Sequence, residues 1–311
     1  MIILAPMQGL TELPFRKAYF RTFGNAVDCA VSPFLSLTHG NLCTALKKIS
    51  DVLPENNVGS IPVTPQILGS EIREFVDLAN RLADFGFSEV NWNIGCPMPR
   101  VARKTRGSGI LPYPELVEEV LEQVCSKTKV GISVKMRLGY SDENEIFALV
   151  PVLNAFPLKS VTIHPRTGVE LYGGDLHLDC LKRALPLIRH KVVFNGEIKT
   201  ADDYDAVRTR FPEIEDFMIG RGVVANPILP LEIKHIPVPD AKAAKFRFFE
   251  ALCSEIRQLP TIEKSKENKI KEYWQLMLQD IRGVDAGTLK EPLLCTSFSE
   301  ACRKMAEILK G

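Results

Sequence analysis

The sequence predicts an α/β protein, a (β/α)8 TIM barrel followed by a smaller domain made only of helices. Three observations carry this. Eight short β-rich segments recur within residues 1–240, with amphipathic stretches between them, which is the count and rhythm of such a barrel. Several are almost continuously apolar, such as Ile2-Ile3-Leu4-Ala5 and Phe217-Met218-Ile219, as parallel strands covered on both faces should be. No GxGxxG follows the first segment, so the signature of the open doubly wound sheet is missing.

The expected strands cover residues 2–7, 28–33, 62–68, 89–95, 131–138, 160–164, 191–196 and 216–220. Amphipathic helical stretches lie between them at 71–85, 114–127 and 201–211. Four prolines between 227 and 239 end the alternation. From 241 onward there is no convincing strand, and three or four helices are expected. Thirteen Lys and Arg stand there against ten Asp and Glu, a local excess of three positive charges. We therefore divide the chain into a barrel, residues 1–238, and a helical domain, residues 239–311.

With 311 residues, 45% hydrophobic and 25% charged, the composition is that of a soluble globular protein with ample core. The net charge of +1 gives no global nucleic-acid signal, so any such contact has to come from local patches. Eight irregularly spaced cysteines include no CxxC pair. Neither a disulfide framework nor a metal site is expected, and reduced thiols in a cytoplasm are the simplest reading. The apolar start Met1–Pro6 is too short for a signal peptide and lacks a basic leader. No stretch approaches the roughly 18 apolar residues of a membrane span.

Chemistry in a barrel sits at the carboxyl ends of the strands. Those ends carry Pro6-Met7-Gln8-Gly9, Gln66, Asn93 with Cys96, Lys135 with Arg137, His164 with Arg166, Asn195-Gly196-Glu197 and Gly220-Arg221-Gly222. Packing alone does not explain polar groups at seven of eight such positions. The glycines after the last two strands leave backbone N–H groups where barrels commonly hold a phosphate. Arg221 would add a charge-assisted bond there. Lys135 at the mouth then suits the pyrimidine edge of a flavin, where an ammonium stabilises the anionic reduced ring. The amides of Gln66 and Asn93 have the donors and acceptors to read such a heterocycle.

At this point the sequence resembles the tRNA-dihydrouridine synthase family. The motifs are Ala5-Pro6-Met7-Gln8-Gly9, Gln66-Ile67-Leu68-Gly69, Asn91-Trp92-Asn93-Ile94-Gly95-Cys96-Pro97, Val134-Lys135-Met136-Arg137, His164-Pro165-Arg166-Thr167, Asn195-Gly196-Glu197 and Met218-Ile219-Gly220-Arg221-Gly222. The resemblance implies an FMN-dependent enzyme that uses NADPH to reduce particular uridines in tRNA. It implies an FMN-binding catalytic barrel and a helical tRNA-binding domain. A monomer is expected. Pro6, Met7, Gln8, Gln66, Lys135, His164, Asn195, Gly196, Glu197, Gly220 and Arg221 would hold FMN. Asn93, Arg137, Arg166 and Tyr172 would face the uridine or its backbone, and Cys96 would be the proton donor.

A thiol suits that task. Hydride delivered to uracil C6 leaves charge toward C5 and O4, and the other face needs a proton at C5. A cysteine near its ordinary pKa, about 8.5, is still protonated at neutral pH and is a usable acid. The remaining cysteines lack such a context and read as packing. For tRNA phosphates the candidates are Arg100, Arg103, Lys104 and Arg106, and in the tail Lys264–Lys271, with Lys269 and Lys271 singled out beside Tyr273 and Trp274. Two other readings stay open: a barrel reductase acting on a free pyrimidine, and a non-catalytic RNA-binding protein.

Overall fold

The computed structural model describes residues 1–37 and 43–310, leaving aside the side chains of Cys43, Thr44 and Lys47. The strands are β1 (Ile2–Leu4), β2 in two pieces (Cys29–Val31 and Leu35–Ser36), β3 in two pieces (Val63–Thr64 and Gln66–Leu68), β4 (Glu89–Ile94), β5 (Gly131–Gly139), β6 (Val161–Thr167), β7 (Val192–Asn195) and β8 (Asp216–Ile219). Every pairing is parallel. Each strand pairs with its successor and β8 returns to β1, so the sheet closes as a (β/α)8 barrel. The breaks in β2 and β3 fall at Pro33 and Pro65, which cannot donate to a ladder. β6 runs to Thr167, beyond the expected 164, so His164 and Arg166 both lie on a strand.

The connections carry α1 (Leu13–Phe23), α2 (Cys43–Lys48), α3 (Ile72–Asp84), α4 (Pro99–Ala102), α5 (Pro114–Lys127), α6 (Ile146–Asn154), α7 (Leu178–Ala184), α8 (Ala201–Arg210), α9 (Arg221–Ala225) and α10 (Leu229–Ile233). Alternation along each strand sorts the residues between two environments. Val90, Trp92 and Ile94 of β4, Ile132, Val134 and Met136 of β5, and Val161 and Ile163 of β6 pack into the large core. Their neighbours Asn91, Asn93, Ser133, Lys135, Arg137, Thr162, His164 and Arg166 take the other face, toward the barrel axis. Across the axis Ile3, Ala5, Val31, Val193 and Met218 form a small apolar cluster of their own. One side of the barrel interior is thus polar and the other apolar.

Four further helices follow: α11 (Ala241–Arg257), α12 (Glu263–Met277), α13 (Ala286–Leu294) and α14 (Phe298–Lys310). Phe15 of α1 meets Phe248 of α11 edge-on at 5.3 Å and stacks on Tyr273 of α12 at 5.9 Å. Tyr273 and Trp274, expected beside an RNA surface, are 1% and 0% exposed. Their polar ends are used inside the protein, the hydroxyl on Leu10 O and the indole N–H on Leu289 O. Among the described residues no helix is long and apolar enough to cross a membrane.

The aromatic contact between α1 and α11 should carry much of the docking energy. Phe248→Ala would leave a cavity between fully buried rings and should cost about 3–5 kcal/mol in urea unfolding. A loss under ~1 kcal/mol would show that the contact is not close-packed.

Candidate active site

A cavity of about 420 Å³ opens at the carboxyl ends of the strands, a size that suits a small ligand or cofactor. Its wall includes Pro6, Met7 and Gln8 after β1, Asn93 and Cys96 from β4 and its turn, Lys135 and Arg137 of β5, and His164 of β6. Tyr172 from the β6–α7 loop, Asn195, Gly196 and Glu197 from the end of β7, and Gly220 and Arg221 after β8 complete it. Leu10, Phe34, Met98, Val101, Ile198 and Lys199 also line it and escaped the sequence reading. Lys199 follows Glu197 by two residues, so its neighbourhood was a signal. Phe34 had none, because it enters only through the break in β2. Arg100, read only as a phosphate contact, is in the wall as well.

A relay of amides sets the floor. Asn93 Nδ2 donates to Gln66 Oε1 at 2.8 Å, Gln66 Nε2 to Asn91 Oδ1 at 2.7 Å, and Asn91 Nδ2 to Ser133 Oγ at 2.9 Å. Asn93 Oδ1 accepts the N–H groups of Gly95 at 3.1 Å and Cys96 at 2.9 Å. The relay therefore fixes the turn that presents the thiol. From the other side Ser108 donates both N–H and Oγ–H to Cys96 O, at 3.0 and 3.1 Å. Gly107 allows this approach: its φ is +54°, and a Cβ there would stand 2.5 Å from Cys96 O.

The positive groups divide by their partners. Arg137 donates to the carbonyls of Gly95, Thr167 and Leu171. Burial lowers its pKa to about 10, so it is still charged at neutral pH. Arg166 donates to Glu197 Oε1 at 2.8 Å and to Gly174 O at 2.9 Å. Its NH1 also lies 3.2 Å from His164 Nε2; since a guanidinium only donates, Nε2 accepts. Burial and the surrounding Lys135, Arg137 and Arg166 hold His164 well below its ordinary pKa, hence neutral. Glu197 gathers Arg166, Arg221 and Lys199. Burial pushes its carboxyl up, and the bonds from Arg166 and Lys199 more than reverse this. Tyr172 lies between two guanidiniums, its ring centroid 5.5 Å from Arg137 and 5.2 Å from Arg221.

Lys135 has no hydrogen-bond acceptor or ion-pair partner among the described residues. Burial, then Arg137, bring its pKa down to about 7, with Cys96 acting in the opposite direction. Burial pushes the Cys96 thiol up, against the Met98 N–H and nearby Lys135, Arg137 and Arg100, so at neutral pH it is a protonated thiol. An acid and an unpaired cation thus share one cavity.

Four expected site residues lie outside this wall. Gln66 is fully buried beneath Asn93, and Arg166 is buried behind Glu197. Lys269 Nζ donates to Gly9 O at 2.6 Å and Glu12 Oε2 at 2.7 Å. Lys271 Nζ donates to Glu267 Oε1 at 2.7 Å and Cys295 O at 2.5 Å. Arg106 is buried as well, on Glu71 and Leu37 O. Arg100, Arg103 and Lys104 are exposed.

Fold and site together define an α/β-barrel enzyme with a cationic pocket and a protonated thiol at its rim. A family model described as dihydrouridine synthase matches residues 3–286, and the chain belongs to that family. A tRNA-dihydrouridine(16) synthase of Neisseria meningitidis is 31% identical over 266 residues, 81% of this chain and 79% of that protein. The tRNA-dihydrouridine synthase B of Escherichia coli is 27% identical over 267 residues, 83% and 79% of the two chains. Among solved structures, the old yellow enzyme from Trypanosoma cruzi shares the fold at a TM-score of 0.54 and 11% identity, over 84% of this chain and 94% of that one. Morphinone reductase does so at 0.52 and 12%, over 78% and 88%.

The buried ammonium carries a pH signature. Lys135 titrates near 7 in the fold and near 10.4 in an unfolded chain, so its burial cost is full below pH 7 and fades as pH rises through that window. Lys135→Met should therefore stabilise the ligand-free protein at pH 6, by something on the order of 2–4 kcal/mol. The gain should shrink steadily toward pH 10, as thermal melts across that range would reveal. A variant destabilised at pH 6 would show that the ammonium is compensated in the fold.

Proposed function

We propose that this chain reduces uridine in tRNA to 5,6-dihydrouridine, with FMN bound in the barrel and NADPH as reductant. The observation that carries the reading is Lys135: a buried cation without an acceptor among the described residues, in a cavity where the buried Arg137 is tied to backbone carbonyls and Arg221 and Lys199 to Glu197. Such a cavity favours an anion with a flat, hydrogen-bonding edge. The names of the relatives support a tRNA substrate.

In this reading Lys135, with Pro6, Met7, Gln8 and a neutral His164, would hold the isoalloxazine part of FMN. Asn195, Gly196, Glu197, Gly220 and Arg221 would hold its phosphate. Gln66 and Arg166 act from behind, the first by orienting Asn93 and the second by holding Glu197. FMN held there would supply the hydride that uracil C6 needs. Asn93, Arg137 and Tyr172 orient the uracil, and Cys96 gives its proton to C5 from the opposite face and is reprotonated from solvent. Residues 1–238 are then the catalytic barrel, and residues 239–311 contribute to seating the tRNA. Extracting the base from its stack costs a few kcal/mol, which phosphate contacts offset. The exposed Arg100, Arg103 and Lys104, beside the pocket mouth, are placed to make them.

Cys96→Ala tests the chemistry. It should leave FMN content and flavin reduction by NADPH intact and slow tRNA-dependent reoxidation by about 10²–10⁴-fold. Cys96→Ser should be little better, since a hydroxyl is a weaker acid. Stopped-flow absorbance separates the two half-reactions. A slowed NADPH step with normal reoxidation would remove the thiol from the acid role.

The loop cations make a second test. Replacing Arg103 and Lys104 together by alanine should weaken tRNA binding and reduce the slope of log K against log salt by up to about 2. An unchanged slope would place the RNA elsewhere on the protein.

A further inference from the structure

The loop that follows β1 supplies Met7, Gln8 and Leu10 to the cavity wall. Its base is self-contained. Thr11 Oγ1 donates to Ala5 O at 2.8 Å and accepts from Met7 N at 2.8 Å, and Met7 O accepts the N–H groups of Leu10 and Thr11, both at 3.0 Å. Its tip is held from the helical domain. Lys269 Nζ donates to Gly9 O and to Glu12 Oε2, while Glu12 Oε1 accepts Gly9 N at 3.2 Å. One lysine and one carboxylate thus close a ring around Gly9. One turn further along α12, the Tyr273 hydroxyl donates to Leu10 O. Gly9 has φ +83°, and a Cβ there would come 3.3 Å from Glu272 Oε2. Three side chains of α12 therefore bear on the loop, and the head group of Lys269 is turned inward, its side chain only 16% exposed.

We propose that α12 buttresses the cofactor pocket, with Lys269 and its partner Glu12 as positioning residues that hold Met7, Gln8 and Leu10 in the conformation that grips the flavin. The inference rests on the flavin reading of the cavity. The path is short: Gly9, bonded directly to Lys269, adjoins Gln8 and Leu10 in the wall. A loop whose tip is fixed loses less freedom when a ligand binds against it, so the contact raises affinity without touching the ligand. It also links the two parts of the chain. Displacement of α12 by a bound RNA would reach the flavin site, and by reciprocity flavin would alter RNA affinity.

Lys271 provides the control. It lies on the same helix with a similar side-chain exposure, 17%, but its bonds to Glu267 and Cys295 stay within the helical domain. The experiment is titration of the full-length, flavin-stripped protein with FMN, followed by fluorescence quenching, alongside thermal melts. Lys269→Met should weaken FMN binding about tenfold, the effect of losing the charge-assisted bonds that preorganise the loop. Lys269→Arg should recover part of it. Glu12→Gln should resemble Lys269→Met, and the double variant should be no worse than the weaker single one, because both remove the same contact. Lys271→Met should lower the melting temperature and leave the FMN dissociation constant unchanged. An unchanged constant in Lys269→Met, or equal weakening in both lysine variants, would overturn the proposal. No FMN binding by the parent protein would overturn the flavin reading, and this inference with it.

Discussion

Unneutralised positive charge inside the barrel is the constraint on which the site depends. Alternation on β5 and β6 sends Lys135, Arg137, His164 and Arg166 toward the axis, where each charged form has lost its water. A buried charge is tolerated only when something pairs with it or when it sheds its proton. The four groups take different routes. Arg137 spends its donors on backbone carbonyls, Arg166 takes Glu197, and His164 stays neutral. Lys135 does none of these completely, and its pKa near 7 is the consequence.

Glu197 has a central place in this balance, since among the described residues it is the only carboxylate in the cavity wall. It sits at φ +34°, an unusual backbone for a residue with a Cβ. From there one carboxylate reaches Arg166 behind it, Arg221 beside it and Lys199 at the rim. Backbone strain at such a point is sustained when surrounding bonds over-determine it, and three cations on one carboxylate do so. Arg137 and Arg221, fixed by their own partners, then both lie over the ring of Tyr172, so the β6–α7 loop is positioned by charges that line the cavity wall.

Much of this was legible from the sequence for a physical reason: a barrel turns order along the chain into position around a ring. Eight apolar runs defined the strands, and polar residues at their carboxyl ends had to converge. That is why Asn93, Cys96, Lys135, His164, Asn195 and Arg221 meet as expected. Residues whose partners lie far away in the chain are the ones whose positions the sequence does not reveal. Gln66 faces Asn91 and Asn93 instead of the cavity because the register of β3 against β4 brings those amides together. Arg106 disappears onto Glu71, and Phe34 enters through a break at Pro33 that no periodicity foretells.

The lysines of α12 show the same limit from the opposite side. A run of cations marks a surface only if the helix face carrying it meets water, and composition does not reveal which face that is. In Lys264–Lys271 the charges divide by angle around the helix. Lys269 reaches toward the barrel, Lys271 binds inside its own domain, and Lys264 stays exposed while pairing with the buried Glu267. Tyr273 and Trp274 go inward with them. A segment that looks basic by count is therefore largely spent on internal bonds. The local excess of positive charge in the tail overstates what is free to meet a phosphate, whereas the loop cations Arg100, Arg103 and Lys104 are exposed, Arg100 at the pocket itself.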